Sequence, residues 1–428
     1  MDSTFVAIVG AGITGLAIGD GLRRAGVPHT ILEASDRVGG VIRSGHVDGS
    51  LLEWGPQRTR LTAALGEMVE RLDLANELVT APRGLPLFVY AGGRLRKVPF
   101  SAAGFLLSDI VPFRSKLRAV VEPFTRGADP DESVAAFFTR KLGRRLYENL
   151  AGPLYGGLYA SDPADMVVRL SLGRVLEEFG VGRSLVLSLL RRGGGVAPPP
   201  ACSFAGGLNA LPWALHSANS ENVRLSTAAL SVRRANGRWQ IECDGGTLAA
   251  DRVILTAPAP VAAELIAAEA PALTHSFRSL TYNPLAVVHL RAETNLRGLG
   301  YQVSLAERLA TRGVTFNDSL FDRKGVYTAY LGGAKAPHVV GWDNDAICAT
   351  AMREFRQVTG FDARVLSVER EWMPAWDKSW AAIQRIALPS GLELAANWVS
   401  RPGIPGRLAQ ARGIVGRLAA EYGGRGDR

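Results

Sequence analysis

Phe5-Val6-Ala7-Ile8-Val9-Gly10-Ala11-Gly12-Ile13-Thr14-Gly15 is the stretch that decides the fold class. Its first five residues form the continuous apolar run of a parallel strand buried on both faces. A G-x-G-x-x-G turn follows at once, and Leu16 to Ala25 reads as a helix closed by Gly26. In this order Gly10 allows the tight turn, Gly12 lets backbone approach a pyrophosphate, and Gly15 lets helix and strand pack closely. The helix N-terminus then faces the anion. A second strand, His29-Thr30-Ile31-Leu32, ends in Glu33, about 20 residues beyond the glycines, where a carboxylate accepts from a ribose and disfavours a 2′-phosphate. Reading residues 3–19 as a membrane helix fails on the three glycines in its middle.

The rest of the composition sets limits. A chain of 428 residues, 47% hydrophobic and 21% charged, has the length for two or three domains and is neither disordered nor a disulfide-stapled miniprotein. The net charge of +9 comes from basic residues scattered as singles and pairs such as Arg23-Arg24 and Arg144-Arg145, so no nucleic-acid partner is expected. Cys202, Cys243 and Cys348 lie far apart, and the six histidines show no ligand spacing, so neither a disulfide framework nor a metal is expected. Met1-Asp2-Ser3-Thr4 lacks a basic leader, and the longest uncharged run, Gly193 to Ser220, is broken by prolines and glycines. These features predict a cytoplasmic protein with no spanning helix.

Beyond Glu33 the chain reads Ala34-Ser35-Asp36-Arg37-Val38-Gly39-Gly40-Val41-Ile42-Arg43, then Leu52-Glu53-Trp54-Gly55-Pro56. This resembles the flavin-binding signature of the superfamily that holds amine oxidases, carotenoid desaturases and protoporphyrinogen oxidases. The resemblance narrows the dinucleotide to FAD, with Glu33 at the adenosine ribose and Arg37, Gly39, Gly40, Arg43, Gly55 and Pro56 near the pyrophosphate and flavin. Leu154-Tyr155-Gly156-Gly157-Leu158-Tyr159-Ala160-Ser161-Asp162-Pro163, with Leu176-Glu177-Glu178-Phe179-Gly180, is similar to a pattern of the protoporphyrinogen oxidase branch. So is Phe204-Ala205-Gly206-Gly207-Leu208-Asn209-Ala210-Leu211-Pro212. Leu394-Ala395-Ala396-Asn397-Trp398 and Gly403-Ile404-Pro405-Gly406 resemble the family's flavin-contacting segment and the helix start behind it, which puts Asn397 and Ile404 at the cofactor. The sequence departs from the family at Ala396, where a glycine is usual. It departs again at Leu87, where some eukaryotic relatives place an arginine that pairs with a substrate propionate.

The β-rich stretch from Val223 to Ala257, with a turn at Asn236-Gly237, reads as a meander. The resemblance makes it the second FAD segment, with Ala229 near adenine. The expected architecture is α/β (mixed α+β): a Rossmann-like FAD-binding domain from residues 1–85, 205–275 and 385–428, and a discontinuous substrate domain with a helical lobe from 86–204 and 276–384. Val134, Phe137, Phe138, Leu142, Leu146 and Leu150 fall at helical spacing and predict one apolar helix face. Phe105-Leu106-Leu107 and Leu185 to Arg192 offer apolar groups for packing or for peripheral contact with an anionic membrane. The resemblance implies oxidation of a porphyrinogen (protoporphyrinogen IX or coproporphyrinogen III) to the porphyrin in heme biosynthesis, with O2 as acceptor and H2O2 released. Arg83, Arg94 and Arg96 are candidate partners for the substrate carboxylates. An amine oxidase, a carotenoid-type desaturase and a flavin binder without turnover are the alternatives, and the number of subunits is left open.

Overall fold

Alternation along the first strand dictates what surrounds it. The computed structural model describes residues 2–178, 180–191, 199–400 and 403–426. In strand Asp2–Val9, Val6 and Ile8 point to one face of a sheet and Ala7 and Val9 to the other, and all four are buried. The first face is covered by helices Ile13–Arg24 and Ile404–Gly426, which contribute Leu16, Ile18, Leu408 and Ile414 to a common core. The second is covered by helices Ala259–Leu265 and Pro271–Arg278, through Ala262, Leu265 and Phe277. Parallel partners flank the first strand: His29–Leu32 and, beyond it, Val223–Arg224 on one side, Gly246–Leu255 and then Leu392–Leu394 on the other. The antiparallel pair Ala229–Ala235 and Arg238–Cys243 completes seven strands. Its turn residues Asn236 and Gly237 both have positive φ, as the tight hairpin predicted from Asn-Gly requires. Helices on both faces of a largely parallel sheet make this the α/β arrangement expected.

A second seven-stranded sheet runs in the order Arg364–Pro374, Tyr282–Arg291, Val326–Gly332, Thr311–Phe316, Gly300–Val303, Leu87–Ala91, Arg94–Lys97. Tyr301, Phe316 and Tyr327 on one face pack on Ile347, Ala351 and Phe355 of helix Asn344–Thr359. The opposite face turns toward the nucleotide-binding segments. Strand Ala201–Phe204 pairs with Thr59–Arg60 and Leu78–Thr80, which ties the middle of the chain to the N-terminal region.

Residues between Ala102 and Arg191 form short helices. The apolar stripe from Val134 does not run through a single helix. Helix Val134–Leu142 stops at Gly143, whose φ of +83° suits glycine, and Arg118 Nη2 donates to the Arg140 carbonyl at 2.6 Å near that end. The chain resumes at Arg144–Leu146 and passes through a π-helical turn, Tyr147–Ala151. Spacing alone missed this break because the glycine preserves the apolar side while redirecting the axis. Phe179, Arg192, residues 193–198, Arg401 and Pro402 lie outside the described residues. Among the described residues no helix is long and apolar enough to cross a membrane.

Candidate cofactor site

Parallel strands end together, and the polar groups of the candidate site collect there, as ligands do in open α/β sheets. Gly10 follows Val9 with φ +108°, and a Cβ on it would lie 2.4 Å from Thr256 Oγ1. A Cβ on Gly15 would lie 2.0 Å from the Gly10 carbonyl oxygen, so helix and turn touch through bare backbone. Gly12 differs: a Cβ there would meet nothing within 4 Å. It is also the N-cap of helix Ile13–Arg24, which has neither a side-chain cap nor an acidic residue in its first turn. The glycine with open space in front of it is thus the one at an uncapped helix N-terminus, which suits close approach of a phosphate.

Glu33 is oriented before any ligand arrives. Its Oε2 accepts from Ala11 N at 2.7 Å inside the glycine turn, and its Oε1 accepts from Ser35 N at 3.0 Å and Ser35 Oγ at 2.7 Å. The backbone of the second segment comes to the same corner, with Thr227 N donating to the Glu33 carbonyl and Ser226 N to that of Ser35, both at 2.8 Å. Ala229 opens the next strand, two residues on. Gly39 N donates to the Ala11 carbonyl at 2.9 Å and bridges to Gly12, laying the second glycine pair alongside the first turn. Arg37 Nη1 holds that loop by donating to the Gly40 carbonyl at 3.1 Å. Gly10, Gly12, Gly15, Glu33, Arg37, Gly39, Gly40 and Ala229 therefore meet in one place.

The loop then runs to the second sheet. Gly55 lies so close to Val41 that a Cβ would sit 1.9 Å from the Val41 carbonyl oxygen, which places Gly55 and Pro56 directly after the glycine pair in space. Arg43 stacks over Trp54 and pairs with Glu369 at 3.4 Å, and Trp54 Nε1 donates to Ser367 Oγ at 3.2 Å. At the other end of the chain, Ala395 N donates to the Leu255 carbonyl at 2.9 Å, setting Ala396 and Asn397 at the strand ends. Trp398 is fixed by its Nε1 donating to the Ala257 carbonyl at 3.0 Å. Among the described residues the Asn397 side chain has no hydrogen bond, while Ile404 is buried at the start of the last helix. Ala396 is buried in the apolar cluster that includes Trp398, so its methyl is taken up by the core.

A buried hub, not anticipated as such, locks these segments together. Glu53 is only 1% exposed. Its Oε1 accepts from Arg323 Nη2 at 2.7 Å and from Leu208 N at 2.9 Å, and Ser44 Oγ donates to its Oε2. The Glu53 carbonyl accepts from Gln57 Nε2 at 2.6 Å and lies 2.8 Å from His289 Nε2. Gln57 Oε1 in turn accepts from Asn317 Nδ2 and Thr328 Oγ1, both at 2.9 Å. One carboxylate thus joins the flavin-type loop, the Gly207-Leu208 turn and the second sheet. A glutamate between Leu52 and Trp54 was the only signal in the sequence. Burial drives the His289 pKa down to about 4, so the imidazole is neutral at ordinary pH.

The arginines nominated for substrate carboxylates are otherwise engaged or remote. Arg94 and Arg96 both pair with Asp109, at 2.9 and 2.5 Å, on an outer strand, and Arg83 is exposed.

Comparison with known proteins agrees with this geometry. The family model for flavin containing amine oxidoreductase matches residues 13–402. Human protoporphyrinogen oxidase is 30% identical over 358 residues, covering 74% of this chain and 73% of that protein. The chloroplastic protoporphyrinogen oxidase 1 of Spinacia oleracea is 29% identical over 395 residues, covering 82% and 70%. Among solved structures, a candidate protoporphyrinogen oxidase of Exiguobacterium sp. 255-15 superposes with a TM-score of 0.81 at 24% identity, covering 98% of this chain and all of that one. The cyclohexylamine oxidase of Brevibacterium oxydans IH-35A shares the fold with a TM-score of 0.71 at 15% identity, over 97% of this chain and 99% of that one. An FAD fits the residues present, with open backbone at Gly12, an oriented acid at Glu33 and glycine-lined approaches between them. The chain belongs to the flavin containing amine oxidoreductase family, in the branch of the protoporphyrinogen oxidases, and is an FAD-dependent oxidoreductase.

Proposed function

We propose that this oxidoreductase converts a porphyrinogen, protoporphyrinogen IX or coproporphyrinogen III, to the porphyrin, with O2 as the final acceptor. The observation that carries the reading is the 30% identity to human protoporphyrinogen oxidase over three quarters of the chain. FAD supplies the two-electron redox chemistry when bound. The protein's part is positional. Gly12 at the helix N-terminus would admit the pyrophosphate, with Gly10 and Gly15 shaping the turn that allows it, while Glu33 would take the ribose hydroxyls and Asn397 the ribityl or ring edge. The last helix opens just after Gly403, and the positive end of its dipole would favour negative charge on a ring held there. In this reading residues 1–85, 205–275 and 385–428 serve the cofactor, and the remaining segments supply the substrate side.

Each porphyrinogen gives up six electrons, so three O2 are reduced to three H2O2 for every porphyrin formed. Aerobic assays with the FAD-loaded protein follow porphyrin fluorescence above the autoxidation rate and titrate H2O2. FAD-dependent acceleration with three H2O2 per porphyrin is expected. No acceleration with either porphyrinogen rejects the reading.

Peripheral contact with an anionic membrane is supported by one patch. Eight of the fifteen exposed large apolar side chains among the described residues fall between Phe100 and Phe124, including Leu107 at 87% and Phe124 at 79% exposure. Lys97, Arg114 and Arg126 are exposed beside them. Apolar groups flanked by cations suit a bilayer interface. Of the two stretches singled out in the sequence, Leu106 and Leu107 belong to this patch, while Leu185 packs inward against the cluster around Phe137.

A further inference from the structure

A row of oxidisable rings leads away from the cofactor segment. Trp398 follows Asn397, is fully buried, and is fixed by its Nε1 donating to the Ala257 carbonyl at 3.0 Å. Trp380 Nε1 donates to the Trp398 carbonyl at 2.9 Å. The Trp380 ring is stacked on that of Trp376, with centroids 5.4 Å apart and planes inclined by 21°. Trp376 meets Tyr159 at 6.4 Å, and Tyr159 meets Tyr155 at 5.6 Å. Trp376 thereby packs on both the core of the nucleotide-binding sheet and the core of the helical region.

Packing does not call for an indole at position 376. Its φ of +51° lies in the left-handed region that bulky side chains rarely adopt and that costs backbone energy. Its Nε1 is buried and, among the described residues, has no hydrogen-bond partner, whereas a buried indole N–H ordinarily finds one. A phenylalanine would fill much of the same space without the orphaned N–H, and a glycine or asparagine would take the backbone with less strain. What an indole adds is the ease with which its ring gives up one electron, and a stacked pair shares the resulting positive charge. The surroundings favour that charge here over other tryptophans. Asp377, between the two in sequence and only 9% exposed, accepts from Ser379 N at 2.9 Å and Ser379 Oγ at 2.5 Å and has no cationic partner among the described residues. A carboxylate shielded from water stabilises a neighbouring cation strongly. By contrast Arg43 lies over the Trp54 ring in the flavin-type loop at 5.1 Å, and Arg234 over Trp239 at 5.1 Å; a cation seated on the ring opposes a second positive charge.

We infer that the Trp376–Trp380 stack is an internal one-electron donor to FAD excited by light. The excited, oxidised FAD takes up one electron by way of Trp398, the stack loses one, and the vacancy is shared between its two rings. The same electron then returns from the cofactor to the stack, so both are restored and no bond or proton moves. The net effect is to discharge excited flavin before it reacts with substrate or protein. The inference requires bound FAD but is independent of which substrate is oxidised, so it goes beyond the porphyrinogen reading.

The test is ultrafast absorption and flavin fluorescence decay of the FAD-loaded wild type, W376F, W380F and W54F, with FAD content and visible spectrum recorded for each. Wild type is expected to show short-lived flavin fluorescence and an indole cation absorbance that decays as oxidised flavin recovers. W380F should lengthen the fluorescence several-fold and lose the indole signal. W376F should fold as wild type does, because it removes the orphaned N–H, and should still quench, but the charge, now confined to one ring, returns faster. W54F should match wild type. Wild type grown on fluorinated tryptophan keeps every ring in place while making it harder to oxidise, so slower quenching is expected there whether or not W380F folds. Quenching in W380F equal to that of wild type, or relief of quenching in W54F alone, assigns the donor elsewhere and overturns the inference. So does a W376F trace identical to wild type, or quenching untouched by fluorination.

Discussion

Replacing Glu53 by glutamine removes one charge from the hub while keeping its shape. Arg323 is then a buried cation whose remaining hydrogen-bond partner is Ser203 Oγ, at 2.9 Å. Breaking a buried ion pair by neutralising one member costs about 3–5 kcal/mol. At roughly 2.1 cal/mol/K per residue, unfolding 428 residues carries an entropy of about 0.9 kcal/mol/K, so the E53Q midpoint falls by about 3–6 °C. R323M should cost less, because the Glu53 carboxylate keeps Leu208 N, Ser44 and, at 3.4 Å, Ser203 as donors. In the double variant E53Q/R323M no unpaired charge remains and the glutamine oxygen still accepts from Leu208 N. Its loss should therefore fall about 2 kcal/mol or more short of the sum of the single losses. Calorimetric unfolding of the four FAD-loaded proteins gives the cycle directly. An E53Q midpoint within about 1 °C of wild type, or strict additivity in the cycle, refutes the assignment of the hub as one coupled unit.

Other expectations follow from the same geometry. G15A drives a methyl into the Gly10 carbonyl oxygen and should unfold the nucleotide site, seen as loss of bound FAD and a lower melting temperature. G12A has free space, so the apoprotein should melt as wild type while FAD affinity falls by about tenfold or more, measured by flavin fluorescence. The His289 pKa is depressed to about 4 against 6.5 when unfolded, so the unfolded chain binds the extra proton. Stability contributed by the neutral imidazole is fully present above about pH 6.5 and is lost as pH falls toward 4, by roughly 3 kcal/mol at most. H289Q should flatten that segment of the pH–stability profile. Changing Leu107, Phe113 and Phe124 to serine should weaken sedimentation with phosphatidylglycerol vesicles without altering FAD content; unchanged binding removes the membrane proposal.

What the sequence disclosed follows from range. The glycine turn, the acid at Glu33 and the Asn236-Gly237 hairpin are local patterns whose chemistry is complete within a few dozen residues, and the structure forms each of them. The hub was hidden because Glu53 and Arg323 are 270 residues apart and each alone looks like a surface charge. Pairing them requires the topology of the second sheet. Arg94 and Arg96 were chosen by nearness in sequence to a motif, but strand pairing turns them to the Asp109 edge. The stripe from Val134 to Leu150 shows the opposite failure. Its period is right, and Gly143 still divides it, because periodicity records sidedness and not continuity of the axis.

Anaerobic mixing of the FAD-loaded protein with protoporphyrinogen IX tests the central claim most directly, with the oxidised flavin absorbance followed before and after O2 is admitted. The account predicts rapid bleaching by the porphyrinogen, recovery on O2, and porphyrin and H2O2 appearing together. A flavin that stays oxidised with protoporphyrinogen IX and coproporphyrinogen III, yet bleaches with an amine or a polyene, contradicts it.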